Sequence, residues 1–157
     1  MAMIRLPPDF KEFLKLLKEH EVRYLLIGAY AVNYHGYIRA TGDMDIWIAI
    51  DPDNASKIVA VLKEFGFEND PEINPNLFLQ EKKIIRMGVP PLRLEISTSI
   101  SGVDFDECYQ SRIIDQLDGV EVNLIDLESL KRNKKASGRP KDLTDLKKLQ
   151  QKKTRKI

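Results

Sequence analysis

The stretch that decides the fold is GAYAVNYHGYIRATGDMD, residues 28–45. It follows the apolar run YLLI at 24–27 and leads into IWIAI at 46–50. Asp43 and Asp45 therefore stand one residue apart at the start of a buried strand, where alternation puts both side chains on one face. Two carboxylates so close repel each other, and burial raises the cost. Since a divalent cation relieves that repulsion, the pattern predicts Asp43 and Asp45 as ligands of Mg²⁺ or Mn²⁺.

A third acid stands in a later apolar strand, LRLEI at 92–96. Glu95 is isolated there, and a charged group in apolar surroundings needs a partner. One interpretation makes Glu95 a third metal ligand beside Asp43 and Asp45. The other is a surface ion pair with Arg93, which lies two residues away on the same face. The sequence leaves both open.

Gly28 ends the first strand and begins a short helix. Free backbone N–H groups at such a helix start bind phosphate, so Gly28 and Ala29 are candidate phosphate-binding residues. Arg39 and Thr41 stand just before the two aspartates. They could hold a triphosphate or orient Asp43, and a purely loop-anchoring role is the alternative.

The C-terminal segment is strongly basic. Residues 131–157 carry 12 Lys and Arg against 2 acids, whereas residues 1–130 carry 13 against 22. Such a segment could offer a surface to a polyanion, although a solvated helix would look the same. Within it, Lys134 and Arg139 lie on either side of a glycine turn and could bind an anion between them. Asp142 either borders the same site or only interacts favourably, as an acid, with the N-terminus of the last helix.

Composition limits the remaining options. The 157 residues, with 43% hydrophobic and 31% charged side chains, suit one globular domain over 1–157. Cys108 is the only cysteine, and His20 and His35 lie far apart, so the spacing of a zinc site is missing. No leader-like segment and no apolar stretch near 18 residues is found, which predicts a cytoplasmic protein without a membrane segment.

The hydrophobic pattern predicts an α+β fold, an α/β-type mixed sheet flanked by helices, with a C-terminal helical element at 126–151 and a flexible basic tail at 152–157. Which strands pair cannot be read from it. The predicted strands are 22–27, 44–50, 77–80, 83–89, 92–97 and 120–125, with a hairpin broken at Pro90-Pro91. The predicted helices are 7–20, 29–35, 54–65, 104–114, 126–135 and 141–151.

Together these residues resemble the nucleotidyltransferase superfamily, which has the DNA polymerase β-like fold. The family pattern is a Gly-Ser or Gly-Gly turn, a short helix, Asp-x-Asp and a third acid on a later strand. Two runs, GAYAVNYHGY…RAT…DMDI and NKKASGRPKD, are more narrowly similar to bacterial AbiEii/MenT-type toxins. This sequence departs from the pattern twice: Ala29 replaces the usual Ser or Gly, and Glu95 replaces the more frequent Asp.

The resemblance implies that Asp43, Asp45 and Glu95 bind two metal ions. It also implies that the turn holds nucleotide phosphates and that Lys134, Arg139 and Asp142 border the nucleotide. The expected activity is transfer of an NMP from an NTP to an acceptor hydroxyl.

The acceptor could be RNA, in particular a tRNA 3′ end, a protein side chain or a small molecule. A toxin of this kind would have an antitoxin protein as partner. The alternatives are a catalytically weak relative that binds a nucleotide or a partner protein, and a plain scaffold with an incidental Asp-x-Asp.

Overall fold

The computed structural model describes residues 4–38, 41–89 and 92–154. Within these ranges six strands form one mixed sheet: β1 (Tyr24–Ile27), β2 (Asp43–Ile48), β3 (Ile84–Val89), β4 (Leu92–Ser97), β5 (Ile113–Leu117) and β6 (Val120–Leu124). The strand order is β3-β4-β2-β1-β6-β5. Strands β2 and β4 run parallel, as do β1 and β6, and the other neighbours are antiparallel. The predicted mixed sheet is confirmed.

Six α-helices of the described residues cover the sheet: α1 (Pro8–Glu19), α2 (Gly28–Tyr34), α3 (Pro52–Leu62), α4 (Phe105–Gln110), α5 (Leu127–Ser137) and α6 (Pro140–Thr154). A π-type turn, Lys63–Phe67, extends α3. No helix of the described residues is both long and apolar enough to span a bilayer.

Alternation along the strands divides the core in two. One side of the sheet packs against α1 and α3, and its buried residues include Phe13, Ile46 and Ile58. The opposite side packs against α4, α5 and α6, and it contains Leu25 and Trp47. Because Asp43 and Asp45 share the face of Trp47, they lie on the side that the C-terminal helices cover.

Two predicted elements are wrong. Residues 77–79 belong to a 3₁₀ helix, Pro75–Leu79, and Gln80 follows its end. The Asn74 side chain caps this helix and Pro75 suits its first turn. The predicted helix 104–114 ends at Gln110, and Ile113 begins β5. β5 and β6 form a hairpin around Asp118 and Gly119, both at positive φ, which is the turn geometry that an Asp-Gly pair favours.

The remaining differences concern boundaries. Helix α3 begins at Pro52 rather than Asn54, because Asp51 caps it by accepting a hydrogen bond from the Asn54 N–H. Helix α6 continues to Thr154, into the segment predicted as a flexible tail. The predicted β3–β4 hairpin is confirmed by its antiparallel pairing, while Pro90 and Pro91 lie outside the described residues.

Candidate active site

The sheet register brings the three predicted acids to one face. In the parallel pair of β2 and β4, Asp45 lies directly beside Glu95, and Asp43 lies beside Arg93. Laterally paired residues point to the same side of a sheet, and Asp43 and Asp45 already share that side by alternation. The result is a patch with three carboxylates and one guanidinium at the N-terminal end of β2.

Electrostatic repulsion is concentrated on Asp45. Burial is the largest influence, and the negative charges of Glu95 and then Asp43 add to it, so that the pKa of Asp45 rises to about 6. Two lysines of the C-terminal helices, Lys134 and Lys141, are near enough to lower this pKa in part. The site therefore carries a negative charge that its own surroundings leave incompletely balanced.

Two arginines of the sheet contact the other acids. The Arg93 Nη2 atom lies 3.3 Å from Asp43 Oδ2 and 3.9 Å from Glu95 Oε2. On the far side of Glu95, the Arg86 Nε atom lies 3.5 Å from Glu95 Oε1. Both open interpretations of Glu95 thus have support, since it lies beside Asp45 and also pairs with Arg93.

The chemistry of the acids suits a hard divalent cation, because Mg²⁺ prefers oxygen ligands and takes one or two carboxylates with substrate phosphates. Asp43 and Asp45 could provide them, and the repulsion at Asp45 would be relieved. Across residues 4–38, 41–89 and 92–154, no three carboxylate, imidazole or thiol side chains are arranged as a metal site. Glu95, the candidate third ligand, lies within ion-pair distance of Arg93 instead.

Gly28 is required by its contact with Asp45. Its φ is +68°, a left-handed conformation that disfavours other residues, and a Cβ placed on it would lie 2.0 Å from Asp45 Oδ2. The neighbouring Ala29 is buried. The backbone of this turn thus passes directly over Asp45, and phosphate binding by Gly28 and Ala29 stays a prediction.

Thr41 stabilises the start of β2. Its hydroxyl accepts a hydrogen bond from the Asp43 N–H and donates one to the Asp43 carbonyl, both at 3.1 Å. This supports the predicted role of orienting Asp43, and it engages the hydroxyl that the triphosphate alternative would need. Arg39 lies outside the described residues.

Helices α5 and α6 meet in a buried ionic cluster. The Lys134 Nζ atom lies 2.9 Å from Asp142 Oδ1 and 3.2 Å from Asp145 Oδ2, and all three residues are buried. Asp142 and Asp145 are called the α6 aspartate pair below. Lys134 thus joins the two helices, and its contact with a nucleotide stays a prediction.

The carboxylate of Asp142 is heavily hydrogen-bonded. Burial alone would raise its pKa, but donors from Ser137, Lys134 and Arg139 outweigh burial and lower the pKa to about 2. Arg139 contributes its Nε at 2.8 Å, while 77% of its side chain remains exposed. Most of the Arg139 side chain is therefore open to solvent, and a guanidinium is a group that binds phosphate well.

Sequence reasoning missed Asp145 and Lys141. The signal for Asp145 was present, because residues three apart on a helix share a face and Asp142 precedes it by three. Lys141 follows the glycine turn directly. Its influence on Asp45 depends on how α5 and α6 fold back over the sheet, which no local pattern reveals.

Known structures with this fold include nucleotidyltransferases. A candidate nucleotidyltransferase from Thermotoga maritima, TM1012, aligns with a TM-score of 0.59 and 17% identity over 96% of each chain. The lincosamide antibiotic adenylyltransferase LnuA, with lincomycin bound, aligns with a TM-score of 0.54 and 16% identity. That alignment covers 94% of this chain and 98% of LnuA.

The family follows from the sequence. The profile of the aminoglycoside-2''-adenylyltransferase family matches residues 9–149, and the chain belongs to this family. A search of curated proteins gives no match. The narrower similarity to AbiEii/MenT-type toxins stays a prediction that none of these findings tests.

Proposed function

We propose that the chain transfers a nucleoside monophosphate from an NTP to an acceptor hydroxyl in an Mg²⁺-dependent reaction. Adenylate is the leading candidate for the transferred group. The observation that carries this proposal is the register that sets Asp45 beside Glu95 and Asp43 on one face. Adenylate is expected because the matched family is described as an adenylyltransferase family.

The bonds that change are defined by this reaction. The acceptor oxygen forms a bond to the α-phosphorus, the bond from that phosphorus to the bridging oxygen breaks, and pyrophosphate leaves with the electron pair. Asp43 and Asp45 would hold Mg²⁺, which neutralises phosphate charge and favours the attacking oxygen when bound. Glu95 would join them as a ligand of the metal and would accept the proton of the acceptor hydroxyl.

The phosphates need positive or N–H partners from the chain. We assign these to the backbone of Gly28 and Ala29, to Arg39 and to the exposed guanidinium of Arg139, with Thr41, Lys134 and Asp142 bordering them. Fixing the triphosphate before reaction converts the transfer into a step between positioned groups.

The acceptor class has two candidates. A small polyhydroxylated molecule is favoured by the family description and by the lincomycin bound to LnuA. An RNA end is favoured by the basic composition of residues 131–157, and it would accord with a toxin that has an antitoxin partner. A lysate-free assay with both acceptor classes decides between them.

The test uses α-labelled NTPs with Mg²⁺, offered with aminoglycosides, a lincosamide or purified tRNA. Wild type is compared with Asp45→Ala and with the control Asp53→Ala, whose side chain is 79% exposed on α3. We expect labelled product and pyrophosphate from wild type and the control, and background levels from Asp45→Ala. Nucleotide binding without pyrophosphate release on any acceptor would instead establish the binding-only relative.

A further inference from the structure

Arg93 lies on the same face of the sheet as Asp43, Asp45 and Glu95. It is the lateral neighbour of Asp43 across the parallel strands, and it precedes Glu95 by two residues on the same strand face. A single atom of its guanidinium, Nη2, lies within ion-pair distance of both Asp43 and Glu95. Within the described part of the chain, no basic group lies within ion-pair distance of Asp45.

The contacts of Arg93 are loose for an arginine between two carboxylates. Its Nη2 lies 3.3 Å from Asp43, at the long end of hydrogen bonding, and 3.9 Å from Glu95, beyond it. Its Nε is buried and has no hydrogen-bond partner among the described residues. An unsatisfied buried donor costs free energy, so charge rather than hydrogen bonding keeps the side chain in place.

A divalent ion held by these carboxylates would repel the guanidinium that contacts them. Asp43 and Glu95, the acids that Arg93 contacts, are two of the three ligands assigned to the divalent ion under the proposed function, on which this inference rests. A guanidinium that leaves them would carry unsatisfied donors. The phosphate oxygens of the nucleotide that enters with the metal are acceptors that match its planar fork.

We propose that Arg93 is the internal counter-cation of the metal-free site, that it competes with the divalent ion for Asp43 and Glu95, and that it moves to the nucleotide phosphates when the metal binds. Arg93 then acts as a coupling residue. A metal ion alone must displace it at a cost, whereas a metal ion with a nucleotide gives it a new partner. Metal and nucleotide should each strengthen binding of the other by the same factor.

The experiment measures Mn²⁺ affinity by electron paramagnetic resonance, without and with saturating α,β-methylene-ATP. Arg93→Gln is compared with wild type, and Arg86→Gln is the matched control. Arg86 also pairs with Glu95, but it touches no other acid of the residues that the structure describes, and its side chain is 57% exposed against 34% for Arg93. Arg93→Lys keeps the positive charge on a shorter side chain that lacks the planar guanidinium. Circular dichroism checks the fold of each variant.

In Arg93→Gln we expect Mn²⁺ alone to bind about fivefold more tightly than in wild type, since a competing cation is removed. The nucleotide analogue should strengthen Mn²⁺ binding at least about fivefold in wild type and Arg86→Gln, and less than about twofold in Arg93→Gln. Arg93→Lys should stay near wild type for Mn²⁺ alone. If Arg93→Gln does not fold, Arg93→Lys with reduced coupling and unchanged affinity for Mn²⁺ alone supports the proposal.

Unchanged Mn²⁺ affinity and unchanged coupling in Arg93→Gln would overturn the proposal, as would equal effects in Arg86→Gln. In those cases the proposed function stands, provided that wild type binds Mn²⁺ and Asp45→Ala does not. A wild-type protein that binds no Mn²⁺ under either condition would overturn both proposals together.

Discussion

Replacing Asp45 with asparagine should make the metal-free protein more stable at neutral pH. The wild-type carboxylate is charged there, although burial and the charges of Glu95 and Asp43 oppose its ionisation. Asparagine has nearly the same shape and carries no charge. The substitution therefore removes the repulsion and keeps the packing against Gly28.

The magnitude follows from the pKa of Asp45, which rises from 3.8 to about 6 in the folded protein. A rise of that size corresponds to at most about 3 kcal/mol, since one pKa unit is worth about 1.4 kcal/mol. The folded state holds the proton more tightly than the unfolded state, so wild type loses this stability as pH rises from about 4 through about 6. The advantage of Asp45→Asn should be about 3 kcal/mol near pH 7.5 and about 1 kcal/mol near pH 4.5.

Urea denaturation at both pH values, in the presence of a chelator, measures this difference. Asp53→Asn is the control, because Asp53 is exposed on α3 and pairs only with Lys57, four residues along the helix. Its effect should be small at both pH values. The reasoning is refuted if Asp45→Asn is no more stable than wild type near neutral pH, or if its advantage does not change with pH. Adding Mg²⁺ should stabilise wild type and reverse the order of stability.

Two further substitutions test the surroundings of the acids. Gly28→Ala should cost about 3 kcal/mol, because it combines left-handed strain with a clash against Asp45, while Gly138→Ala, at the same φ of +68° with nothing within 4 Å, should cost only about 1 kcal/mol. Equal melting temperatures for the two variants would contradict the contact. Lys134→Met should cost about 3 kcal/mol or more in urea denaturation, since it removes the buried cation that contacts both aspartates of the α6 pair. Lys135→Met, on the exposed side of α5, should cost little, and a similar loss in both variants would disprove a special role for the buried pair.

The sequence was most informative where chemistry conflicts with burial. Asp43 and Asp45 stand out because two acids open an apolar strand, and Glu95 stands out because it interrupts one. Local alternation was enough to put the first two on one face. It was not enough to place Glu95 beside Asp45, because the parallel pairing of β2 and β4 joins segments about fifty residues apart and no local pattern records it.

The two wrong secondary-structure predictions, at the β5–β6 hairpin and at residues 77–80, have local causes. The β5–β6 hairpin was missed although Asp118-Gly119 is a strong turn signal, because helical spacing was extended across Ser111 into β-branched Ile113 and Ile114. The apolar run at 77–80 predicts a strand, but the Asn74 side chain caps a 3₁₀ helix that begins at Pro75. Short apolar runs do not distinguish strand from helix, and the flanking residues decided both cases.

The charge of the C-terminal helices is less available to a nucleotide than the sequence suggests. Lys134 faces the two carboxylates of the α6 aspartate pair, and Arg139 shares one of them, so these four side chains are close to neutral as a group. Lys134 and Lys141 still lower the pKa of Asp45 in part, and the side chain of Arg139 remains largely exposed. The acids of the sheet, by contrast, have only Arg93 and Arg86 within contact distance among the described residues. A triphosphate entering such a site alone would meet more negative than positive charge. Under the proposed function it would therefore enter with a divalent cation, and under our proposal Arg93 is the group that this cation displaces.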